Sequence, residues 1–567
     1  MSSEVRGSHL MGADMTYEQT GPYKYKLICK FYRECAGITL LNPYFKVYCN
    51  LDTQGYSFTC TRSSIKDISL KCDSDSFPCY PQNSPGLSGV EEHVYETELD
   101  FTKGNYLNLK NLGACKMIVS AEICCRNGAI TTLSPGNFYS ELMIDICLGA
   151  KKASNGVRFT SPPIQYVCCN IPINYNNGIS ADLDRFDSLS FSSDDPKRSL
   201  NMYEAYNNPF SKDQPMTTNG INGYIFNESN GSFYLTPIAC SQVGVIVIKC
   251  ERWRKDSSGT MQLLSVQRRE MELIVKNCGN DNNTPYITGM SNFAVCEGNK
   301  LCFTINSKDD LFLPNQTIRD TTQLFYDNAI KDASFNIIDS TAAEKSAEFC
   351  WQTKVGDSRV TPYFFNVIVK DNHCGDPRIA TYGSAITVKP KAKSRRIYTK
   401  MFKGKLLMES LADSSTGKNF IYNFTIKDSS GQGASLFTSL KSKDTFTFTQ
   451  AGKYIIEHTI NSPPGNCPAI YRDTFIVTTE HLLDVQNLVY KGELNLFPNP
   501  GKGQFKLSTA QNDSEEGSIY IYSLNGQLMR TYKANADSFD VSDLKSGSFI
   551  VELRTNDSVY FTTLIIE

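Results

Sequence analysis

Five histidines supply all the imidazole chemistry in this 567-residue chain: His9, His93, His373, His458 and His481. A nucleophilic hydrolase needs a Ser, Cys or Thr beside such a base, and a zinc hydrolase needs two histidines on one helix face. None of the five sits in a G-x-S-x-G elbow, an H-E-x-x-H run or a recognisable Cys–His spacing. Catalytic triads are defined by geometry, so a hydrolase assembled from distant residues stays as a third reading. No residue is assigned a catalytic role, and the chain is read as a non-enzyme. Twenty cysteines are the other reactive groups, all but Cys467 at or before Cys374. Zinc-type C-x-x-C pairs are absent, and in an exported chain this density reads as disulfides, each worth about 2–4 kcal/mol. Cys72 with Cys79 closes a local loop and Cys49 with Cys60 staples a hairpin. Cys302 with Cys350 and Cys296 with Cys374 flank strands that should lie together, although sequence alone does not fix connectivity. Adjacent members of Cys124-Cys125 and Cys168-Cys169 should point to opposite faces of a strand. One of each then joins its own sheet or module and the other reaches a neighbour, an intermolecular bond being the alternative.

The elements that hold these groups read as strands. Lys24, Lys26 and Lys30 alternate with Tyr25, Leu27, Cys29 and Phe31, the period-two signature of a half-buried strand. Phe45, Val47, Cys49 and Leu51 repeat it, as do Leu142, Ile144 and Ile146, and no run of period 3.6 interrupts them. The length implies about four domains. Charge is balanced, 57 basic against 59 acidic residues, so nothing points to nucleic acid. No apolar stretch approaches a membrane span. The start, MSSEVRG, lacks an apolar core and reads as a tag or trimmed end, a cleaved signal peptide being inferred. The expected organisation is a flexible arm over 1–11, β-sandwich domains over 12–165 and 166–279, a linker at 280–285, domains over 286–388 and 397–479, and a last domain over 488–567. The basic run 389–396 between the third and fourth domains is read as a solvated hinge. Trp253 and Trp351 are read as core residues, and the Tyr-rich loop at 203–210 as an ordered loop.

The end of the chain carries the most specific text. Pro498-Asn499-Pro500 with Gly503 is followed by Ile519 and Ile521 alternating with tyrosines. Asn525-Gly526 then supplies two left-handed residues of a tight hairpin. Leu544, Gly547 and Phe549 precede a terminal strand closing in Leu564-Ile565-Ile566. This order resembles the C-terminal sorting domain of the Bacteroidetes type IX secretion system. One departure is Thr562-Thr563, where many members carry Lys. The resemblance implies export to the cell surface or beyond, with the secretion machinery as a partner.

Upstream, GADMTYEQTGPYKYKLICKFYREC, SAEICCRNGAITTL and FTSPPIQYVCC resemble, in order, large secreted gliding-motility-associated or PKD-like surface proteins of the same bacteria. LCFTINSKDD and YFFNVIVKDNHC resemble PKD- or cadherin-like repeats. The resemblance implies calcium as a candidate cofactor at two places: Asp182, Asp184 and Asp187, in a loop lacking the family's Pro and Gly, and Asp309, Asp310 and Asp371 at a module junction. Three carboxylates with backbone carbonyls can begin the six- to eight-oxygen shell of that ion. It also implies O-glycosylation at D-[ST]-x positions Ser188, Thr321, Ser340 and Ser558. The fold class expected is all-β: tandem immunoglobulin-like (PKD/cadherin-like) β-sandwich modules, disulfide-rich, ending in a β-sandwich sorting domain. The function expected is a surface structural protein, an adhesin or a subunit of an extracellular fibre, with self-association or other surface proteins and glycans as partners. The arm from Ser2 to Asp14 is a candidate donor strand between subunits. A glycan-binding, lectin-like module is the alternative.

Overall fold

Period-two alternation builds the first hairpin. The computed structural model of the protein describes residues 10–35, 40, 42–49, 52–69, 89–134, 136–220, 223–278, 282–311, 320–373, 377–400, 403–414, 419–429, 434–461, 467–482, 489–508, 517–534, 538–555 and 558–567. In the strand Lys24–Glu34, Tyr25, Leu27, Cys29 and Phe31 are fully buried. From its other face Lys24, Lys26 and Lys30 reach Asp100, Glu96 and Glu92 of the neighbouring strand Val90–Asp100 at 3.3, 3.0 and 2.9 Å. Such cross-strand charge pairs contribute about 0.2–1 kcal/mol each. The described residues are 59% strand and 4% helix, and the chain divides into two units, 1–390 and 391–567.

The first unit is organised by one long strand, Met261–Lys276, of 16 residues. It pairs antiparallel with Val243–Lys255, Phe138–Asp145 and Leu10–Gly21, and parallel with Ile164–Cys168, inside a 14-stranded sheet. Segments 12–165 and 166–279, expected as separate sandwiches, therefore share a sheet. Leu10 and Met11 are buried, so the expected arm over 1–11 is corrected from Leu10 onward. Leu10–Gly21 already pairs on both edges, with Lys24–Glu34 and with the long strand. Gly12 and Ala13 are thus held between two strands within this sheet, and residues 2–9 of the expected donor lie outside the described residues.

The long strand buries charge. Arg269, Glu270 and Glu272 are each less than one-tenth exposed, which is tolerable only with partners in place. Arg126 Nε and Nη2 donate to the Glu270 carboxylate at 2.5 and 2.8 Å, a bidentate pair. Asn127 Nδ2 donates to Glu272 at 3.2 Å, and Arg269 Nε lies 2.8 Å from Asp14. Cys124-Cys125-Arg126-Asn127 thus delivers two polar partners to a strand distant in sequence.

Three short helices among the described residues, Gly104–Asn111, Ile146–Lys151 and Thr479–Leu482, depart from the all-strand expectation. Ile146, expected in line with Leu142 and Ile144, instead opens the second helix. Asp145 caps it, accepting the N–H groups of Cys147 and Leu148 at 3.1 and 2.9 Å. Residues 286–389 form two four-stranded sheets over a stack of Phe303, Phe349 and Phe365, with centroids 5.0 and 4.9 Å apart. Trp351 joins that core.

In the second unit, Ser394–Lys400 pairs with Lys405–Ala412, and Arg396 forms an ion pair with Asp473 while its guanidinium lies 4.3 Å from the Tyr471 ring centroid. The end of the expected basic hinge is therefore strand, not solvated chain. His458 is fully buried and stacks on Phe424 at 4.3 Å. Burial, and then Arg396, pulls its pKa from 6.5 down to about 4. The sorting segment forms a five-stranded and a three-stranded sheet around Phe505, Ile519, Ile521, Val551 and Leu564.

Two outcomes follow from these buried polar groups. Glu270→Ala leaves the Arg126 guanidinium buried without its counterion and should cost about 3–5 kcal/mol; urea denaturation of the full chain should show an early transition of the first unit. His458 has its folded pKa below its unfolded one, so its contribution to stability is complete above about pH 6.5 and fades as pH falls towards 4. Thermal melts of the second unit should drop across that window, and His458→Phe, which keeps the stack, should flatten the drop.

Candidate functional site

The described histidines are held in structural positions. His93 lies 3.0 Å from Glu91, and His373 3.2 Å from Asp320. His481 Nδ1 accepts the Thr478 N–H at 3.1 Å, and His458 is enclosed by rings. His9 lies outside the described residues.

Arginine decides the fate of the first acidic trio. Asp187 is fully buried, with Arg252 Nη2 and Arg254 Nε at 2.6 and 2.7 Å. Burial opposes its charge, but the two guanidiniums prevail and hold its carboxyl below the usual range. Asp184 pairs with Lys152, while Asp182 is exposed and offers Arg252 a backbone carbonyl at 2.9 Å. At Asp184 and Asp187 fixed cations already occupy carboxylate oxygens that a metal would need, and the three acids do not bring ligand atoms together. The calcium expectation at Asp182, Asp184 and Asp187 is corrected.

The second trio differs. Asp309 and Asp371 are 3% and 1% exposed, and Asp310 is exposed. Asp371 accepts from Asn282 Nδ2 at 2.9 Å and from the backbone N–H groups of His373 and Arg378 at 3.2 and 2.9 Å. Asp309 Oδ2 is buried with no hydrogen-bond partner. Burial, followed by the charges of Asp371, Asp320, Asp310 and Glu344, pushes the Asp309 carboxyl up to about 7. These acids form an open set. Among the described residues, three metal-ligating atoms come within 4.8 Å of one another only at Cys115, Asp145 and Cys147. There the cysteines are bonded to each other and Asp145 caps a helix.

The cysteine framework departs from expectation in part. Cys302 and Cys350 are bonded across adjacent strands. Cys49 and Cys60 are not bonded, and Cys49 is buried in the core of the first sheet; that pairing is corrected. Cys72, Cys79 and Cys374 lie outside the described residues. Cys124 and Cys125 are bonded to each other rather than to two partners. Cys168 and Cys169 do diverge, to Cys278 and Cys240 respectively. Of the glycosylation positions, Ser340 is exposed, Ser188 and Thr321 are half-buried, and the Ser558 side chain is outside the described set.

The terminal motif has a clear geometry. Asn499, between two prolines, accepts the Ile565 N–H through Oδ1 at 2.8 Å and donates to the Thr563 carbonyl at 2.6 Å, tying the motif to the last strand. Gly503 takes φ 94°, and a Cβ there would meet Ser542 at 2.8 Å. Leu544 and Phe549 enter the core. In the Asn525-Gly526 turn only Gly526 is left-handed, at φ 85°, and the register shifts between Ile521 and Tyr522. The turn is therefore a type I turn with a glycine bulge, not the expected turn with two left-handed residues.

One feature had no sequence signal: five tyrosines from separate segments, Tyr166, Tyr175, Tyr234, Tyr286 and Tyr382, surround a cavity of ≈ 330 Å³ in the first unit. Only folding brings them together.

Comparison with known proteins adds one specific match and several distant ones. Residues 495–567 match the family described as the secretion system C-terminal sorting domain. No curated protein matches the chain. Among solved structures, a titin fragment is similar at 9% identity, covering 57% of this chain and 98% of its own, with a TM-score of 0.20. Human CDH23 EC21-23 is similar at 13% identity, over 55% and 97%, with a TM-score of 0.16. An ICAM-5 ectodomain fragment is similar at 8% identity, over 81% and 96%, with a TM-score of 0.19. At these scores the three carry no inference; the all-β assignment rests on the sheets described above. The sorting motif, its geometry and the family match agree: the chain is a type IX secretion cargo, exported to the extracellular or cell-surface side by its C-terminal sorting domain.

Proposed function

We propose that this exported chain is a surface adhesin or fibre subunit whose first unit carries tension without unravelling. One observation supports this most. The adjacent residues Cys168 and Cys169 are bonded to Cys278 and Cys240, 110 and 71 residues away. A pull on the chain then passes through sulfur–sulfur bonds and bypasses the enclosed segment. Hydrophobic burial alone resists force only until strands unzip; a covalent bypass does not depend on that.

A hard cation at the second acidic set fits the same role. Asp309 Oδ2 is a buried oxygen lacking a donor, and Asp371 and Asp309 are carboxylates, the ligand type calcium prefers. Carbonyls and water would complete the shell, and the bound ion would relieve repulsion among the acids. The expectation at Asp309, Asp310 and Asp371 thus survives as a proposal.

Single-molecule extension of the full chain tests the mechanical reading. Adding reductant should release a step of about 380 Å from the Cys168–Cys278 loop, 110 residues at roughly 3.5 Å each, beside the smaller steps of the Cys115–Cys147 and Cys302–Cys350 loops; release of the large step before reduction would overturn it. For the cation, about 1 mM calcium should raise the melting temperature of the first unit and chelator should reverse this. Asp309→Asn should abolish the response, and a melt indifferent to calcium would exclude the ion.

A further inference from the structure

The tyrosine-lined cavity of the first unit belongs to none of the features assigned so far. Its ≈ 330 Å³ falls at the lower end of small-molecule sites, about 300–1,000 Å³. Its rings come from rigid elements. Tyr166 lies on Ile164–Cys168, Tyr175 on Ile173–Tyr175, Tyr234 on Phe233–Leu235, Tyr286 on Tyr286–Thr288 and Tyr382 on Ile379–Lys389. Two constraints fix the walls. The Cys168–Cys278 disulfide forms part of the lining. Next to Tyr382, Gly383 lets its strand approach Asn176 so closely that a Cβ would sit 2.1 Å from the Asn176 amide nitrogen.

The lining is amphipathic in a particular way. Tyrosine offers a flat apolar face and a hydroxyl at its edge. Burial raises the phenols of Tyr166 and Tyr382 above their ordinary range, so they stay protonated and can donate. Asn174, Thr284 and Thr381 add amide and hydroxyl groups to the lining. All but Tyr175 of the five tyrosines are partly exposed; Lys276 Nζ lies 4.3 Å from the Tyr166 ring centroid, and Lys276 and Arg378 add positive charge to the lining. A ligand matched to such walls has two flat C–H faces and a belt of hydroxyls. A pyranose ring has that form, whereas a purely apolar ligand would displace water from the lining hydroxyl, amide and charged groups without replacing its hydrogen bonds.

We propose that this cavity binds a pyranose unit of a polysaccharide. The inference deepens the adhesin reading by naming its ligand class, and it rests on that reading only for its biological use.

The test is calorimetric titration of the purified, non-reduced full chain with two probes, maltohexaose and hexagalacturonate, which separate a neutral from an acidic saccharide. Saturable binding of either is expected. Tyr286→Ala and Tyr234→Ala should each weaken it by about tenfold at unchanged melting temperature. If an alanine variant misfolds, Tyr286→Phe and Tyr234→Phe keep the rings and remove only the hydroxyls; a smaller but measurable loss of affinity is then expected. Absence of binding for both probes at about 10 mM, or binding unchanged in every variant, overturns the proposal. Neither result touches the mechanical reading, which is measured by extension and needs no saccharide.

Discussion

Buried ion pairs beneath one strand set the architecture of the first unit. Met261–Lys276 carries Arg269, Glu270 and Glu272 away from solvent, and each requires a partner from a distant part of the chain. Asp14 comes from the first strand, and Arg126 and Asn127 from the segment after Ser120. A buried pair adds little net stability over an apolar replacement, but removing one partner is costly. Its effect is selective. Slipping Met261–Lys276 by one residue would turn Arg269 and Glu270 to opposite faces and separate both from their partners. Register, and with it the pairing of Leu10–Gly21 and Phe138–Asp145 to the same strand, is thereby specified.

The same strand explains what could and could not be read from sequence. Local alternation located strands such as Lys24–Glu34 because one face meets the core and the other meets water. The sorting motif was legible because Asn499, Gly503, Leu544 and Phe549 each meet a demand that few residue types can fill: a backbone hydrogen bond to the last strand, a left-handed residue or a core position. The shared sheet was not legible. Ala13 pairs with Glu270, and no local pattern reports a contact at that separation. The run Arg268-Arg269-Glu270 resembles a solvated stretch; its clue is that consecutive strand residues face opposite sides, so three charges in a row cannot all reach water when both faces are covered. Acidic spacing misled at Asp187 because the arginines that neutralise it, Arg252 and Arg254, lie on a different strand. The tyrosine cavity draws on five segments, none distinctive alone.

Disulfides and ion pairs play complementary parts. Ion pairs choose which strands meet, while Cys168–Cys278 and Cys169–Cys240 keep the segment between them closed once it has formed. For a protein that leaves the cell by way of its last domain, outside the reach of cytosolic repair, such covalent closure suits long service. The cavity has the same bond in its wall, so the proposed tension-carrying path and the proposed saccharide site meet there.

Hydrogen exchange of the native chain, followed peptide by peptide, tests most directly whether one strand organises the first 279 residues. The amides of 10–21, 138–145 and 261–276 are predicted to exchange together, at the slowest rate in the unit, through a single cooperative opening. Independent opening of 12–165 and 166–279, each with its own rate and denaturant dependence, would contradict it.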